Sequence, residues 1–361
     1  LRELKADLSG VKEGGVDMHI FQKDAEETGL LEGSRAIKHN GKYYLLMISW
    51  PKEGHRRQVC YRADKITGPY EKRVILDDAF NGFPYVGQGT IVDDAKGNWY
   101  GVIFQDRGGV GRVLTLMPCR WENGWPMLGD KKGCVPKIME KPIQGCPPVP
   151  LVVSDDFSDK EMKMNWQWNH NPVNDAWSLS ERPGYLRLKT NRIVDNLYAA
   201  PNTLTQRMEG PKCSGVIVLD TSHMKEGDVA GFSAFNGHSG LLSVIADGNK
   251  KYLTMNTNIV DLRNSDKAIL GVEKSEKERV ELKQNRIYLR IDGDFRLGQD
   301  IATFYYSFDN KAWKKIGTDF KMRFDYMKLF MGTKFALFNY ATKELGGYVD
   351  IDFFHYTKDG K

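Results

Sequence analysis

Between residues 38 and 128 the chain repeats one local pattern, a β-branched or aromatic run, a tight-turn signal, and a second such run. "KHNGKYYLLMIS" (38–49) turns at Asn40-Gly41, and "GTIVDDAKGNWYGVIFQD" (89–106) turns around Lys96-Gly97-Asn98. "VLTLMPCRWENGWPML" (113–128) turns at Asn123-Gly124, and "VCYRADKITGPYEKRVIL" (59–76) carries a Gly-Pro turn. Asn-Gly pairs supply the positive φ angles that two-residue hairpin loops require. Strands joined this tightly can pair only with their chain neighbours in an antiparallel sheet. The spacing of the hairpins is within reach of propeller blades. Few helical stretches compete, so the first part reads as a few blades of antiparallel sheet.

A boundary follows. "KPIQGCPPVPLVVSDDF" (141–157) is proline-rich and aperiodic until Leu151, which is the signature of a linker. Short strands then recur between polar turns, among them "SGVIVLD", "LLSVIAD", "RIYLRIDGD" and "IATFYYSFDNKAW". That spacing predicts a β-sandwich or barrel. Asp-bearing segments open and close this half, which suits neighbouring strands in one sheet. A chain of 361 residues is long enough for two such cores.

Charge and cysteine usage exclude several classes. A net charge of +5 without a long Lys/Arg block leaves no electrostatic footprint for nucleic acid. No apolar run approaches a membrane-spanning length. The five cysteines form no Cys-x-x-Cys pair and fit no zinc spacing, so they read as buried thiols, with a Cys134–Cys146 disulfide as the lesser alternative. Phosphate-loop, dinucleotide-loop, His-Glu-x-x-His, EF-hand and Gly-x-Ser-x-Gly patterns are all missing. Aromatic residues at 11% suit a sugar site and equally an ordinary sandwich core.

Four segments occur in order: "EGSRAIKHNGKYYLLMIS", "YRADKITGPYE", "GQGTIVDDAKGNWYGVIFQDR" and "GRVLTLMPCRWENGWPML". Together they resemble the later blades of glycoside hydrolase family 43, the five-bladed propeller β-xylosidases and α-L-arabinofuranosidases. "NWQWNHNPVNDAWSLSERPGYLRLKT", "PNTLTQR", "FYYSFDNKAW" and "GGYVDIDFFHY" resemble the β-sandwich appended to xylosidase-type members. The fold this implies is all-β. A partial five-bladed β-propeller over residues 1–145 is followed by a concanavalin-like β-sandwich over 146–361.

The resemblance implies an inverting, exo-acting glycosidase that releases xylose or arabinose from plant-cell-wall oligosaccharides. Such an enzyme sets a protonated carboxylic acid on the leaving oxygen and a carboxylate base on the attacking water, roughly 6.5–9.5 Å apart. The family's acid is the Glu of an "EG" pair, which matches Glu32. Burial or a nearby carboxylate is expected to raise its pKa. Without the ordered matches Glu32 would read as a solvated strand-start glutamate. The family's base and a further tuning Asp precede the acid in chain order. Asp7, Asp17 and Asp24 lie ahead of Glu32, but their surroundings resemble neither motif. The chain therefore reads as the C-terminal part of a longer enzyme whose other blades are expected upstream.

Gln88 stands where many members carry the His of a Gly-His-Gly. It is a substrate-binding candidate with a turn residue as the alternative, and it puts a central Ca²⁺ in doubt. Arg107 falls where members present a basic residue to the sugar, with a surface ion pair as the equal alternative, and Arg112 reads as structural. Asp156 and Asp352, with Asp155, are candidates for a structural Ca²⁺ in the sandwich, against turn-capping roles. No cofactor is required. Trp166, Trp168 and Trp177 read as core more readily than as a sugar platform. The substrate class suggests a secreted or periplasmic enzyme, and a homo-oligomer is compatible with it. The competing reading is a non-catalytic carbohydrate-binding protein, with the sandwich as binder and the propeller as scaffold.

Overall fold

The computed structural model describes residues 1–326 and 328–359. The helical elements of the described residues are two short 3-10 turns, Gly108–Val110 and Asn174–Ala176. The chain divides into two units, Leu1–Asp106 with Arg112–Cys146, and Arg107–Gly111 with Pro147–Lys361. The sequence reading placed segment 107–111 in the first domain, whereas in the structure it groups with the second.

The first unit holds two four-stranded sheets. One contains β1 (Glu27–His39), β2 (Lys42–Pro51), β3 (Arg57–Ala63) and β4 (Glu71–Leu76). The other contains β5 (Gly89–Asp93), β6 (Trp99–Asp106), β7 (Arg112–Glu122) and β8 (Trp125–Leu128). In each sheet the strands lie in chain order and pair antiparallel, which is the layout of a propeller blade. The hairpin turns take the backbone their residues favour. Asn40 and Gly41 sit at φ 47° and 79°, and Asn123 and Gly124 at 51° and 72°. In the β5–β6 turn, Asp94 Oδ1 accepts the N–H groups of Lys96 and Asn98, both at 2.9 Å.

Alternation along the strands sends one set of side chains into a core shared by the two blades. Tyr44, Leu46, Cys60 and Ile75 of the first sheet join Ile91, Ile103, Met117 and Leu128 of the second. The opposite face of the first sheet is covered by the preceding segment, where Ile20 and Phe21 pack with Leu45, Val59 and Tyr61. Phe21 stacks on Tyr61 with ring centroids 4.3 Å apart. On the second sheet, Val92, Leu114 and Leu116 are exposed.

The second unit is a sandwich of two antiparallel sheets. The seven-stranded sheet runs Ile269–Leu282, Lys250–Leu262, His238–Asp247, Asp228–Phe235, Lys334–Ala341, Leu204–Arg207 and Gln167–Trp168. The eight-stranded sheet runs Trp177–Ser178, Leu186–Lys189, Tyr348–Lys358, Lys212–Asp220, Arg286–Asp294, Ile301–Ser307 and Lys314–Lys315, with Phe320–Lys321 also on Ile301–Ser307. Between the sheets, Phe232, Phe335 and Phe354 form an aromatic cluster. Gly215 faces it, and a Cβ there would lie 2.9–3.0 Å from all three rings, so only glycine lets the rings approach this strand. The start and end of this half meet where Asp155 and Phe354 exchange backbone hydrogen bonds of 2.8 and 2.7 Å.

All five cysteines are free thiols; Cys60, Cys119 and Cys213 are buried, and Cys134 and Cys146 are exposed. Burial pushes the Cys119 thiol up to about 12, which leaves it unreactive at neutral pH.

Candidate active site

The site is built on the first hairpin and the turn that leads into β5. Glu32 is exposed on β1 and faces Ile48 of β2. The register of β1 on β2 shifts on both sides of it, between Glu27 and Leu31 and again between Glu32 and Arg35. Bulges of this kind re-aim a side chain away from simple alternation. Gly33 follows at φ 70°, a left-handed angle that favours glycine.

Gln88 also has φ 70°. Its N–H donates to the buried Gln58 Oε1 at 2.6 Å, and its carbonyl accepts the Phe104 N–H at 3.1 Å. These bonds hold a strained residue in place. Its amide lies directly over Gly33, where an added Cβ would fall 1.9 Å from Gln88 Nε2.

A groove of about 530 Å³ opens beside this contact. Gly33, Arg35, Gln88, Thr90, Phe104 and Arg112 are among its lining residues. The Arg112 guanidinium stacks on Phe104 at 4.2 Å, and its Nε donates to Asp106 Oδ1 at 2.9 Å. Asp106 in turn accepts hydrogen bonds from Tyr85 Oη (2.5 Å) and Arg56 Nη1 (3.1 Å). Arg56 lies over the rings of Trp50 (4.7 Å) and Tyr85 (5.1 Å). Planar guanidinium groups held by a carboxylate and backed by rings offer fixed donors to a neutral polyhydroxylated ligand.

Arg107 does not line this groove. It is half-buried, belongs to the segment grouped with the second unit, and burial pushes its guanidinium below the usual arginine range. The structure thus brings Arg112, read from sequence as structural, to the groove beside Gln88. The residue missed by sequence reasoning was the carboxylate that orients this arginine, Asp106, whose alternation partner on β7 is Arg112. The burial expected of Glu32 as an acid is not provided by the described residues.

The residues assigned to Ca²⁺ hold protein partners. Asp156 is exposed and accepts from the Ser158 hydroxyl (2.8 Å) and N–H (3.3 Å). Asp352 pairs with Arg286. The buried Asp155 is filled by Lys163 Nζ (2.9 Å), the Trp166 indole N–H (2.8 Å) and the Phe157 N–H (3.0 Å). Each carboxylate thus has a cationic or hydrogen-bonding partner on at least one oxygen. Among the described residues one acidic trio, Asp24, Glu26 and Glu27, is clustered closely enough to hold a metal. The Lys72 ammonium occupies it, at 2.6, 2.6 and 2.7 Å from the three carboxylates.

Comparison with known proteins gives two family matches. Residues 2–126 match the model described as "Glycosyl hydrolases family 43", and residues 154–357 match "Beta xylosidase C-terminal Concanavalin A-like domain". A "Beta-xylosidase" of Formosa agariphila is 30% identical, over 91% of this chain and 60% of its own length. A "Non-reducing end alpha-L-arabinofuranosidase" of Bacteroides ovatus is 28% identical over 49% of this chain and 36% of its own. The solved structure titled "Bifunctional GH43-CE Bacteroides eggerthii" superposes with a TM-score of 0.86 at 43% identity, covering 99% of this chain and 45% of that one. The chain therefore spans 60% or less of the length of each of these relatives.

Proposed function

The chain belongs to glycosyl hydrolases family 43 and carries the family's β-xylosidase C-terminal concanavalin A-like domain, and from this premise we propose that it forms part of an inverting, exo-acting glycosidase. Its substrates in this reading are xylo- or arabino-oligosaccharides of plant cell walls, met outside the cytoplasm. The observation that carries the reading is the groove lined by Gly33, the residue that follows Glu32 in the chain. It combines an arginine locked by Asp106 on the face of Phe104 with the Gln88 amide pinned over Gly33.

Glu32 acts as the proton donor. Its carboxyl proton passes to the glycosidic oxygen as the bond from that oxygen to the anomeric carbon breaks. Water attacks the opposite face of the sugar and gives its proton to a carboxylate base roughly 6.5–9.5 Å from the acid. In this reading the base is a second carboxylate that, as the family resemblance implies, precedes Glu32 in chain order. Arg112 and Gln88 orient the sugar through hydroxyl hydrogen bonds.

The test uses nitrophenyl β-xyloside and nitrophenyl α-L-arabinofuranoside with the protein as its gene encodes it. Hydrolysis of either is the expected result, and hydrolysis of the matching disaccharide should be nearly abolished by Glu32→Ala. Equal activity of wild type and Glu32→Ala on the disaccharide removes Glu32 as the acid. Proton NMR of the first-formed sugar reads the stereochemistry, and a product of retained anomeric configuration removes the inverting mechanism.

A further inference from the structure

Glu27 lies on the same strand as Glu32, and its side chain is fully buried. Glu27 Oε1 accepts hydrogen bonds from the Ser49 hydroxyl and from Lys72 Nζ, both at 2.7 Å. Lys72 also donates to Asp24 and Glu26, each at 2.6 Å. Arg57 donates to Glu26 Oε1 at 2.9 Å and to the Ser49 hydroxyl at 3.3 Å. Burial disfavours the charge on Lys72, but its three carboxylate bonds outweigh this and hold it well above the usual lysine range. Glu27 Oε2 is buried with no partner among the described residues. A carboxylate this deeply buried contributes less to stability than a well-packed apolar side chain of its size would, so its retention calls for a geometric reason.

The register supplies one. Glu27 pairs with Pro51 and Leu31 pairs with Ser49, so four steps along β1 match two along β2. Glu32 then pairs with Ile48 and Arg35 with Leu46, three steps against two. Glu32 thus stands on a two-residue stretch between two bulges, where ladder pairing alone leaves its direction loosely held. Ser49 closes the first bulge from both ends: its backbone faces Leu31 while its hydroxyl holds Glu27.

We propose that Glu27, clasped by Ser49 and Lys72, is the positioning residue for Glu32, fastening the bulged segment of β1 so that the acid is aimed at the leaving oxygen. The inference rests on the reading of Glu32 as proton donor. An acid out of place slows only those substrates whose leaving oxygen needs its proton. Dinitrophenolate departs without one, whereas a sugar leaving group does not.

The experiment compares a disaccharide with the dinitrophenyl glycoside of the same sugar, in the protein as its gene encodes it. Glu32→Gln should lose roughly 10²–10⁴-fold in kcat on the disaccharide and little on the dinitrophenyl glycoside. Glu27→Gln should lose roughly 10–100-fold in kcat on the disaccharide, with KM within about twofold, and under about twofold on the dinitrophenyl glycoside. Ser49→Ala removes one clasp and keeps the ion pair, so it should show a smaller loss with the same leaving-group dependence. It carries the same test if Glu27→Gln does not fold. Equal losses on both substrates in the Glu27 and Ser49 variants mean a general structural role and overturn the proposal, and so does unchanged activity on both. A Glu32→Gln variant without leaving-group dependence overturns the acid reading itself, and the positioning role with it.

Discussion

Asp228 opens a strand of the sandwich fully buried, and its replacement by asparagine yields a pH-dependent shift in stability whose size follows from its surroundings. Its Oδ2 accepts the Lys225 N–H at 2.7 Å, while its Oδ1 is buried with no partner among the described residues. Gly347 packs against it so closely that a Cβ would fall 1.7 Å from Oδ2. Burial, aided by the nearby Glu344 charge, pushes the carboxyl up from 3.8 to about 6, against the opposing hydrogen bond from Lys225. The folded protein therefore binds this proton more tightly than the unfolded chain does. The stability this contributes is complete below about pH 3.8 and is lost as pH rises through about 6. A shift of that size corresponds to about 3 kcal/mol, of which about 2 kcal/mol falls between pH 4 and pH 7.5. Asp228→Asn cannot titrate. Its amide keeps an oxygen for the Lys225 N–H, and any cost of its unpaired N–H groups is the same at every pH. The stability difference between variant and wild type should thus swing by about 2 kcal/mol toward the variant between pH 4 and pH 7.5. Calorimetry of both proteins across that range reads it as a relative rise of roughly 4–8 °C in the sandwich transition. Every other titrating group is common to both proteins and cancels. A difference that stays flat with pH, or moves toward wild type as pH rises, refutes the reasoning.

Gly33→Ala should destabilise the first unit through its positive φ by about 1 kcal/mol and add a clash with Gln88. Adding Gln88→Ala should relieve the clash and leave the φ cost, so a double-mutant cycle on denaturant midpoints should show favourable coupling; strict additivity would deny the contact. Arg112→Lys loses both the Asp106 bond and the fit on Phe104, and should lower kcat/KM by roughly 10–100-fold through lost hydrogen bonds to charged groups. Arg107→Lys should cost under about threefold in the same assay, and a reversed order would return the sugar contact to Arg107. EDTA should leave the thermal transition of the sandwich unchanged, because Asp156, Asp352 and Asp155 already hold protein donors; a fall restored by Ca²⁺ would contradict that.

Local chemistry was legible in the sequence alone. The Asn40-Gly41 and Asn123-Gly124 pairs turn where they should, because a left-handed φ is a property of those residues and needs no distant partner. Burial alternates along the middle of β6 and β7, since the strand period is set by the backbone. The ordered motifs likewise carried the family and its all-β architecture. Tertiary structure decided which partner each charge meets. Lys72 reaches Glu27 across 45 residues and Arg286 reaches Asp352 across 66, pairings fixed by strand register and by the folding of one strand over another. That is why Asp352, which reads as a metal ligand, is an arginine's partner. Glu32 was singled out by motif, but the double register shift around it, and the Ser49 bond to the buried Glu27, exist only once β1 lies against β2. A two-residue offset between strands leaves no mark on either strand's own sequence; it arises from how the ladder and the Glu27 clasp are satisfied together.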